Sequence, residues 1–264
     1  KVGRLDEALR VLSVMESSPQ VPLLMAEFEI ARNLQLPPND RDWTETQRLL
    51  DLAAARGEDL ATVLLKRADV QQHQKNWDAA RAFLEEARRR KPEDLAPWLA
   101  LARFEATHDS IEKGLKTLDD SQKQFGPHLA ITQTRLSMLM RVDRAAVRQQ
   151  LNELLADLDQ QPIPQQLKIL QVAAIAYQQL GDSTDALDTW KRLTDLQPHN
   201  LQAFLRQFNL ALAIRDFARA DEIVAQIANI EGHDGSQVRL ARARLLIAEA
   251  NAGDRRRRDE ARRI

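Results

Sequence analysis

One spacing, of about 34 residues, recurs along this chain between residues that play similar structural roles. Trp43 and Trp77 are separated by this interval, and so are the turn residues Pro92 and Gly126. Such a fixed period indicates one supersecondary unit that is copied along the chain, and its length is enough for two helices and a turn. A unit of this size cannot bury its apolar face alone, so the copies must stack on one another. This period constrains the fold more than any other feature.

The composition favours a folded helical protein. Of the 264 residues, 44% are hydrophobic and 29% are charged, which is too apolar for a disordered chain. With 8 glycines and 10 prolines the chain has too few turn formers for a β protein. The absence of cysteine excludes disulfides, thiolate metal sites and a cysteine nucleophile. The net charge of -1 does not direct the chain toward nucleic acid or an anionic membrane.

The clearest unit runs from Leu167 to Asn200. Its two helices are separated by Leu180-Gly181-Asp182, a sequence suited to a helix C-terminus. Small residues let the two backbones approach, and aromatic residues fill the space beside them. This layout resembles the tetratricopeptide repeat, in which bulky, small and aromatic residues alternate on two helices before a closing proline. The residues that carry the resemblance are Leu170, Ala174, Tyr177, Ala186, Trp190, Leu193 and Pro198.

The resemblance extends over nearly the whole chain and is strongest in residues 61–126 and 167–232. It implies an all-α fold: a single right-handed α-solenoid, residues 1–264, of stacked antiparallel helix pairs. The helices Leu129–Met140 and Arg144–Leu158 form a divergent pair, which Pro162 and Pro164 end. Because the chain begins at a lysine and ends inside a helical pattern, we expect a fragment of a longer protein. The expected repeat units are 1–20 (partial), 21–60, 61–94, 95–127, 128–164, 165–200, 201–235 and 236–264 (partial).

A search for chemistry finds no reactive site. No histidine pair has metal-ligand spacing, and neither a nucleophile turn nor a glycine-rich phosphate loop is present. We therefore predict no catalytic residue, no cofactor and no metal, and we interpret the histidines as surface residues. The aromatic residues fall at repeat positions and are predicted to be core. The five histidines are His73, His108, His128, His199 and His233.

Two runs of basic residues are explained by helix structure. The run Arg255–Arg258 is interpreted as the solvated start of a last helix, offset by the neighbouring acids, and only secondarily as a nucleic-acid or membrane contact. The run Arg88–Lys91 ends a helix, where cations complement the helix dipole.

The resemblance also implies where a partner would bind. In tetratricopeptide arrays the first helix of each pair lines a concave wall, and peptides lie along it. The family's clamp for chaperone carboxylates is not reproduced, because Leu205 stands where a clamp lysine would be. The wall residues expected here are polar and rich in amides. They are Asp69, Gln72, His73, Arg103, Lys168, Gln171, Gln178, Gln202 and Asn209.

The leading hypothesis is a non-catalytic scaffold or adaptor that holds a peptide or protein partner in the concave groove. The alternative is a substrate-recognition or oligomerisation domain of an enzyme whose catalytic part lies outside residues 1–264. RNA binding by a related helical repeat is less favoured, because the groove is not basic. We expect no nucleic-acid partner and no membrane span within this chain. Self-association through exposed array ends stays open.

Overall fold

The structure, a computed structural model, describes residues 7, 11, 12 and 20–252. These residues contain thirteen α-helices and no strand, so the predicted all-α class is confirmed. The rest of the expected helix at 1–18, the arginine run 255–258 and the helix expected to begin near Arg257 lie outside the described residues. The helices are α1 Val21–Asn33, α2 Thr44–Ala55, α3 Leu60–His73, α4 Trp77–Arg90, α5 Leu95–His108, α6 Ile111–Phe125, α7 Leu129–Leu139, α8 Arg144–Ala156, α9 Ile163–Leu180, α10 Ser183–Leu196, α11 Leu201–Ala213, α12 Phe217–Glu231 and α13 Ser236–Asn251.

The chain divides into two compact units, Lys1–Met138 and Leu139–Ile264. In unit 1 the helices pack as the pairs α1/α2, α3/α4 and α5/α6, and in unit 2 as α9/α10 and α11/α12. Residues 34–43 connect α1 to α2, whereas the turn within each of the other pairs is short, so the two helices of those pairs run antiparallel. The boundary falls inside the expected repeat 128–164, so that repeat and the single solenoid stay predictions.

The core of unit 1 lies between successive helix pairs. Leu50 of α2 and Val63 of α3 belong to one buried cluster, which joins the first pair to the second. Leu84 of α4 and Leu101 of α5 form the next cluster, which joins the second pair to the third. Each pair therefore buries its apolar faces against its neighbours, as the repeat period predicts.

Small residues set the closest helix contact within a pair. Ala80 in α4, Gly114 in α6, Ala186 in α10 and Ala220 in α12 are all buried. At Gly114 the two helices cross so closely that an added Cβ atom would lie 2.6 Å from the carbonyl oxygen of Ala102. No side chain fits at that distance unless the helices move apart.

In three of the helix pairs, α3/α4, α9/α10 and α11/α12, the turn places one residue in the left-handed region. Gly181 has φ 76°, which glycine adopts without steric cost. Arg215 lies one repeat period later and has φ 61°, and Lys75 has φ 62°. The turn geometry therefore recurs even where the chain has no glycine.

Three sequence expectations need correction. Trp77 is 40% exposed and Trp98 is only half-buried, so neither is a full core residue. Pro162 and Pro164 do more than end a helix, because Pro162 is the N-cap of α9 and Pro164 lies in its first turn. Proline is tolerated there because the first helical N–H groups have no partner within the helix.

Unit 2 presents apolar side chains on α13. Leu240 and Ile247 lie seven residues apart on the same face and are 53% and 49% exposed. Among the residues described, no helix combines the length and apolar character needed to span a bilayer.

Candidate functional site

The first helices of unit 1 form a common surface. Helix α3 contacts α1 on one side and α5 on the other, so first helices from three successive pairs lie next to one another. The expected wall residues Asp69, Gln72 and His73 lie on α3, and Arg103 lies on α5. Asp69, His73 and Arg103 are exposed and Gln72 is half-buried.

Asp69 and Arg103 lie on adjacent first helices and interact electrostatically. Both side chains are exposed to solvent, yet burial raises the pKa of the Asp69 carboxyl above its usual range. Burial also lowers the pKa of the Arg103 guanidinium, against the opposing effect of the Asp69 charge. Both shifts have the same cause, since neighbouring protein atoms remove part of the water that would stabilise each charge. The two residues are one repeat period apart and therefore occupy the same place in successive repeats.

The charges around Asp69 and Arg103 are unequally paired. Lys66 of α3 forms an ion pair of 2.7 Å with Glu27 of α1. Asp69 interacts at longer range with Lys66, His73 and Arg103, all of which favour its ionised form. Within residues 20–252, Arg103 forms no direct ion pair. Its guanidinium is therefore available to an external acceptor.

His73 contributes an aromatic contact to the edge of this surface. Its ring stacks on Trp43, with ring centroids 5.7 Å apart and planes 2° apart. The same arrangement recurs one repeat later, where Trp77 stacks on His108 at 4.0 Å. One face of His73 is therefore covered, although the residue is exposed. Sequence reasoning predicted the exposure of these histidines and missed the stacking.

In unit 2 the expected wall residues lie on α9 and α11. Lys168 and Gln171 of α9 are exposed, as are Gln202 and Asn209 of α11. Gln178 of α9 is also exposed, and its Oε1 accepts a 3.4 Å hydrogen bond from the indole N–H of Trp190 on the paired helix α10.

Arg244 is a surface residue that the sequence reasoning missed. It lies on α13 and donates a 2.6 Å hydrogen bond to the Oδ1 of Asn209 on α11. Its guanidinium also lies 5.7 Å from the ring centroid of Phe208. The period could have indicated it, because Arg244 follows Asn209 by nearly one repeat length.

Among the residues described, no group of three histidine, aspartate or glutamate residues could hold a metal ion. The buried carboxylate of Glu105 accepts a 2.5 Å hydrogen bond from the Thr117 hydroxyl, which joins α5 to α6 inside the core.

Comparison with known proteins agrees with this geometry. A family model described as "Tetratricopeptide repeat" matches residues 62–94, which include most of α3 and all of α4. Residues 62–94 thus match a tetratricopeptide repeat. The resemblance inferred from the sequence is thereby confirmed. Among curated proteins, no sequence matches the chain at a significant level.

Two solved structures share the tetratricopeptide fold of this chain. Yeast Tom70 superposes with a TM-score of 0.58 at 14% identity, over 95% of this chain and 60% of Tom70. The chain thus spans less than two thirds of that protein. The C-terminal part of a TPR repeat-containing protein from Cytophaga hutchinsonii superposes with a TM-score of 0.52 at 11% identity. That match covers 89% of this chain and 91% of the other. At these identities the likeness concerns the fold alone.

Proposed function

We propose that this chain is a non-catalytic protein-interaction scaffold that holds a peptide or protein partner on the surface of its first helices. Stacked helix pairs present extended surfaces of this kind, which repeat proteins use for binding. In unit 1 the proposed surface consists of α1, α3 and α5. In unit 2 it consists of the exposed residues of α9, α11 and α13.

The environment of Arg103 carries this proposal. Its guanidinium is partly desolvated, is accessible from solvent and forms no ion pair among the described residues. A cation that has already lost part of its hydration gains more from a new carboxylate or carbonyl partner than a fully hydrated one. Asp69 lies near enough to interact with it electrostatically and supplies the opposite charge. This pair of charges suits a peptide segment that carries both an acceptor and a cation.

The remaining wall residues support the same class of ligand. Gln171, Gln202 and Asn209 are exposed amides, and an amide both donates and accepts hydrogen bonds. Such groups can pair with the backbone of an extended peptide. Lys168 adds one further cation in unit 2.

Selection from a peptide display library against the whole chain tests the proposal. We expect selected peptides to bind the parent chain. We expect Arg103→Glu to raise the dissociation constant of the peptides that bind unit 1 by about tenfold or more, since charge pairs in desolvated surroundings contribute strongly to affinity. Lys168→Glu tests unit 2 in the same way. The matched control is Lys116→Glu, which reverses a charge on the exposed face of the second helix α6.

Calorimetric titration of each purified variant provides the measurement, and circular dichroism confirms that each is folded. If Arg103→Glu and Lys168→Glu both bind every selected peptide as tightly as the Lys116→Glu control does, the first-helix surface is not the binding surface.

A further inference from the structure

The first and second helices of unit 2 carry opposite charges. On the first helices α9, α11 and α13 the sequence has a single acidic residue, Glu249, whereas the basic residues there are Lys168, Arg206, Arg239, Arg242 and Arg244. On the second helices α10 and α12 the acidic residues outnumber the basic ones: Asp185, Asp188, Asp195, Asp221, Glu222 and Glu231 against Lys191, Arg192 and Arg219. The net charge of -1 of the whole chain conceals this separation.

The arginines of α11 and α13 are not neutralised by the acidic residues that the structure describes. On the second helices, Arg219 forms an ion pair of 2.7 Å with Asp188. By contrast, no arginine of α11 or α13 forms an ion pair with another described residue. The surface of these two first helices therefore carries positive charge that is available to a partner, and such charge favours an acidic partner.

Contacts with neighbouring residues hold two of these arginines in place. The guanidinium of Arg206 lies 5.7 Å from the ring centroid of Trp190, and that of Arg244 lies 5.7 Å from the ring centroid of Phe208. Arg244 also donates its hydrogen bond to Asn209. A guanidinium has five N–H donors, so others remain for a carboxylate. Because both side chains are already positioned, they lose less conformational freedom on binding than unconstrained arginines would.

An apolar stripe lies beside Arg244 on α13. Arg244 follows Leu240 by four residues and precedes Ile247 by three, so the three side chains share one side of the helix. Leu240 and Ile247 are 53% and 49% exposed. They lie two turns apart, which is about 10 Å along the helix axis. Apolar side chains at this spacing can pack against the apolar face of a partner helix that lies along α13.

The fold does not require apolar residues at these two positions. One repeat period earlier, α11 carries Arg206 and Ala213 in place of Leu240 and Ile247. Both residues of α11 are exposed, although the second helix α12 packs against α11. The second helix of a pair therefore leaves these positions uncovered. The apolar stripe of α13 thus lies on the side of the helix that is open to a partner.

We propose that α11 and α13 bind an acidic amphipathic helix of a partner protein, which rests on the proposed function and specifies the partner of unit 2. The apolar face of that helix packs on Leu240 and Ile247. Its aspartate or glutamate side chains pair with Arg206 and Arg244. Single-stranded nucleic acid suits this surface less, because its bases stack on exposed aromatic rings, whereas the exposed apolar residues here are aliphatic.

Fluorescence anisotropy of a labelled peptide, titrated with the whole chain, tests this proposal. The probe is fluorescein-Glu-Ala-Leu-Ala-Glu-Leu-Leu-Glu-Ala-Leu-Ala-Glu-Leu-Ala-amide, which places its leucines on one face of a helix. One control peptide replaces every glutamate by lysine, and the other replaces every leucine by glutamine. We expect saturable binding of the probe that weakens from about 0.05 M to about 0.3 M salt, because salt screens the ion pairs. We expect both control peptides to bind at least about tenfold more weakly.

Variants of exposed residues test the two parts of this surface, and circular dichroism confirms that each variant is folded. Arg244→Glu should raise the dissociation constant of the probe by about tenfold or more. Its matched control is Arg242→Glu, which makes the same charge change on the other side of α13, because two residues are about 200° apart around a helix. The double variant Leu240→Gln/Ile247→Ala should raise the dissociation constant by about tenfold through lost apolar contact. Its control is Val142→Gln, which replaces an exposed apolar residue outside α11 and α13.

Several outcomes overturn the proposal. One is that the probe does not bind in a saturable way, or binds no more tightly than the lysine peptide. Another is that Arg244→Glu weakens binding no more than Arg242→Glu does, or that the double variant binds as tightly as Val142→Gln. An oligouridine RNA that binds more tightly than the probe and loses affinity in Arg244→Glu would assign the surface to nucleic acid. A mass in light scattering that rises with concentration in the parent chain, but not in the double variant, would assign the stripe to a second copy of this chain.

The peptides selected by display separate this proposal from the proposed function. If they bind the first-helix surface, as Arg103→Glu or Lys168→Glu reveals, but are not acidic and bind the double variant Leu240→Gln/Ile247→Ala unchanged, the proposed function stands and the acidic partner is excluded.

Discussion

Adding one methyl group at Gly114 tests the close helix contact on which the fold of unit 1 depends. In Gly114→Ala, the new Cβ would lie 2.6 Å from the carbonyl oxygen of Ala102 and 2.7 Å from the Cβ of Ala106. Both obstacles lie in or next to the backbone of α5, so neither can rotate away. Helices α5 and α6 would have to separate before the methyl group fits.

Two opposing effects determine the magnitude. Alanine favours a helix over glycine by about 1 kcal/mol, which alone would make the variant more stable. Inserting a methyl group into a close-packed interior costs about 1–3 kcal/mol, and contacts this short with rigid groups belong at the upper end of that range. We therefore expect Gly114→Ala to lower the free energy of unfolding by about 1–2 kcal/mol.

Urea unfolding followed by far-ultraviolet circular dichroism measures this difference. The control is Lys116→Ala, on the exposed face of the same helix, for which we expect a change within about 0.5 kcal/mol. If Gly114→Ala is as stable as the parent chain or more stable, helix propensity outweighs packing and the reasoning about this crossing is refuted.

Three further variants test the structure by the same unfolding measurement. Thr46→Val should stabilise the chain by about 1 kcal/mol, because the Thr46 hydroxyl is fully buried without a hydrogen-bond partner among the described residues; a less stable variant would contradict this. Arg215→Gly should stabilise it by about 0.5–1 kcal/mol by relieving the left-handed strain that Gly181 avoids, and no gain would show that the strain is absent. The pKa of Asp109 is lowered to about 2, first by its hydrogen bond from Arg81, so its stabilising contribution is present above about pH 4 and is lost as the pH falls toward 2. Asp109→Asn should remove that part of the acid dependence between pH 2 and 4, and an unchanged profile would exclude the role of this ion pair.

The helix pairs could be predicted from the sequence because the signals for them are local. The unit from Leu167 to Asn200 contains its own small and aromatic residues, its own turn glycine and its own closing proline. The structure accordingly places α9 and α10 there. Where the signals are weaker, at 128–164, the boundary between the compact units appears instead.

The exposure of single aromatic residues could not be predicted in this way. Trp77 occupies a repeat position, but it packs on His108 of the next pair and stays 40% exposed. Trp98 is half-buried beneath the guanidinium of Arg88, 4.9 Å from its ring centroid. The repeat position indicates which way a side chain points, whereas the neighbouring repeat decides how much of it is covered.

The sequence by itself determined the helical class, the repeat period and the resemblance to tetratricopeptide repeats, because each rests on residue spacings within one helix pair. Tertiary structure alone decided which polar side chains have partners. Among the described residues, Lys66 reaches Glu27, whereas Arg103 on the next first helix reaches no carboxylate closely, and the Thr46 hydroxyl is buried without a hydrogen bond. The physical reason is distance: ion pairs and hydrogen bonds form or fail over about 1 Å, and the packing between helices sets separations on that scale.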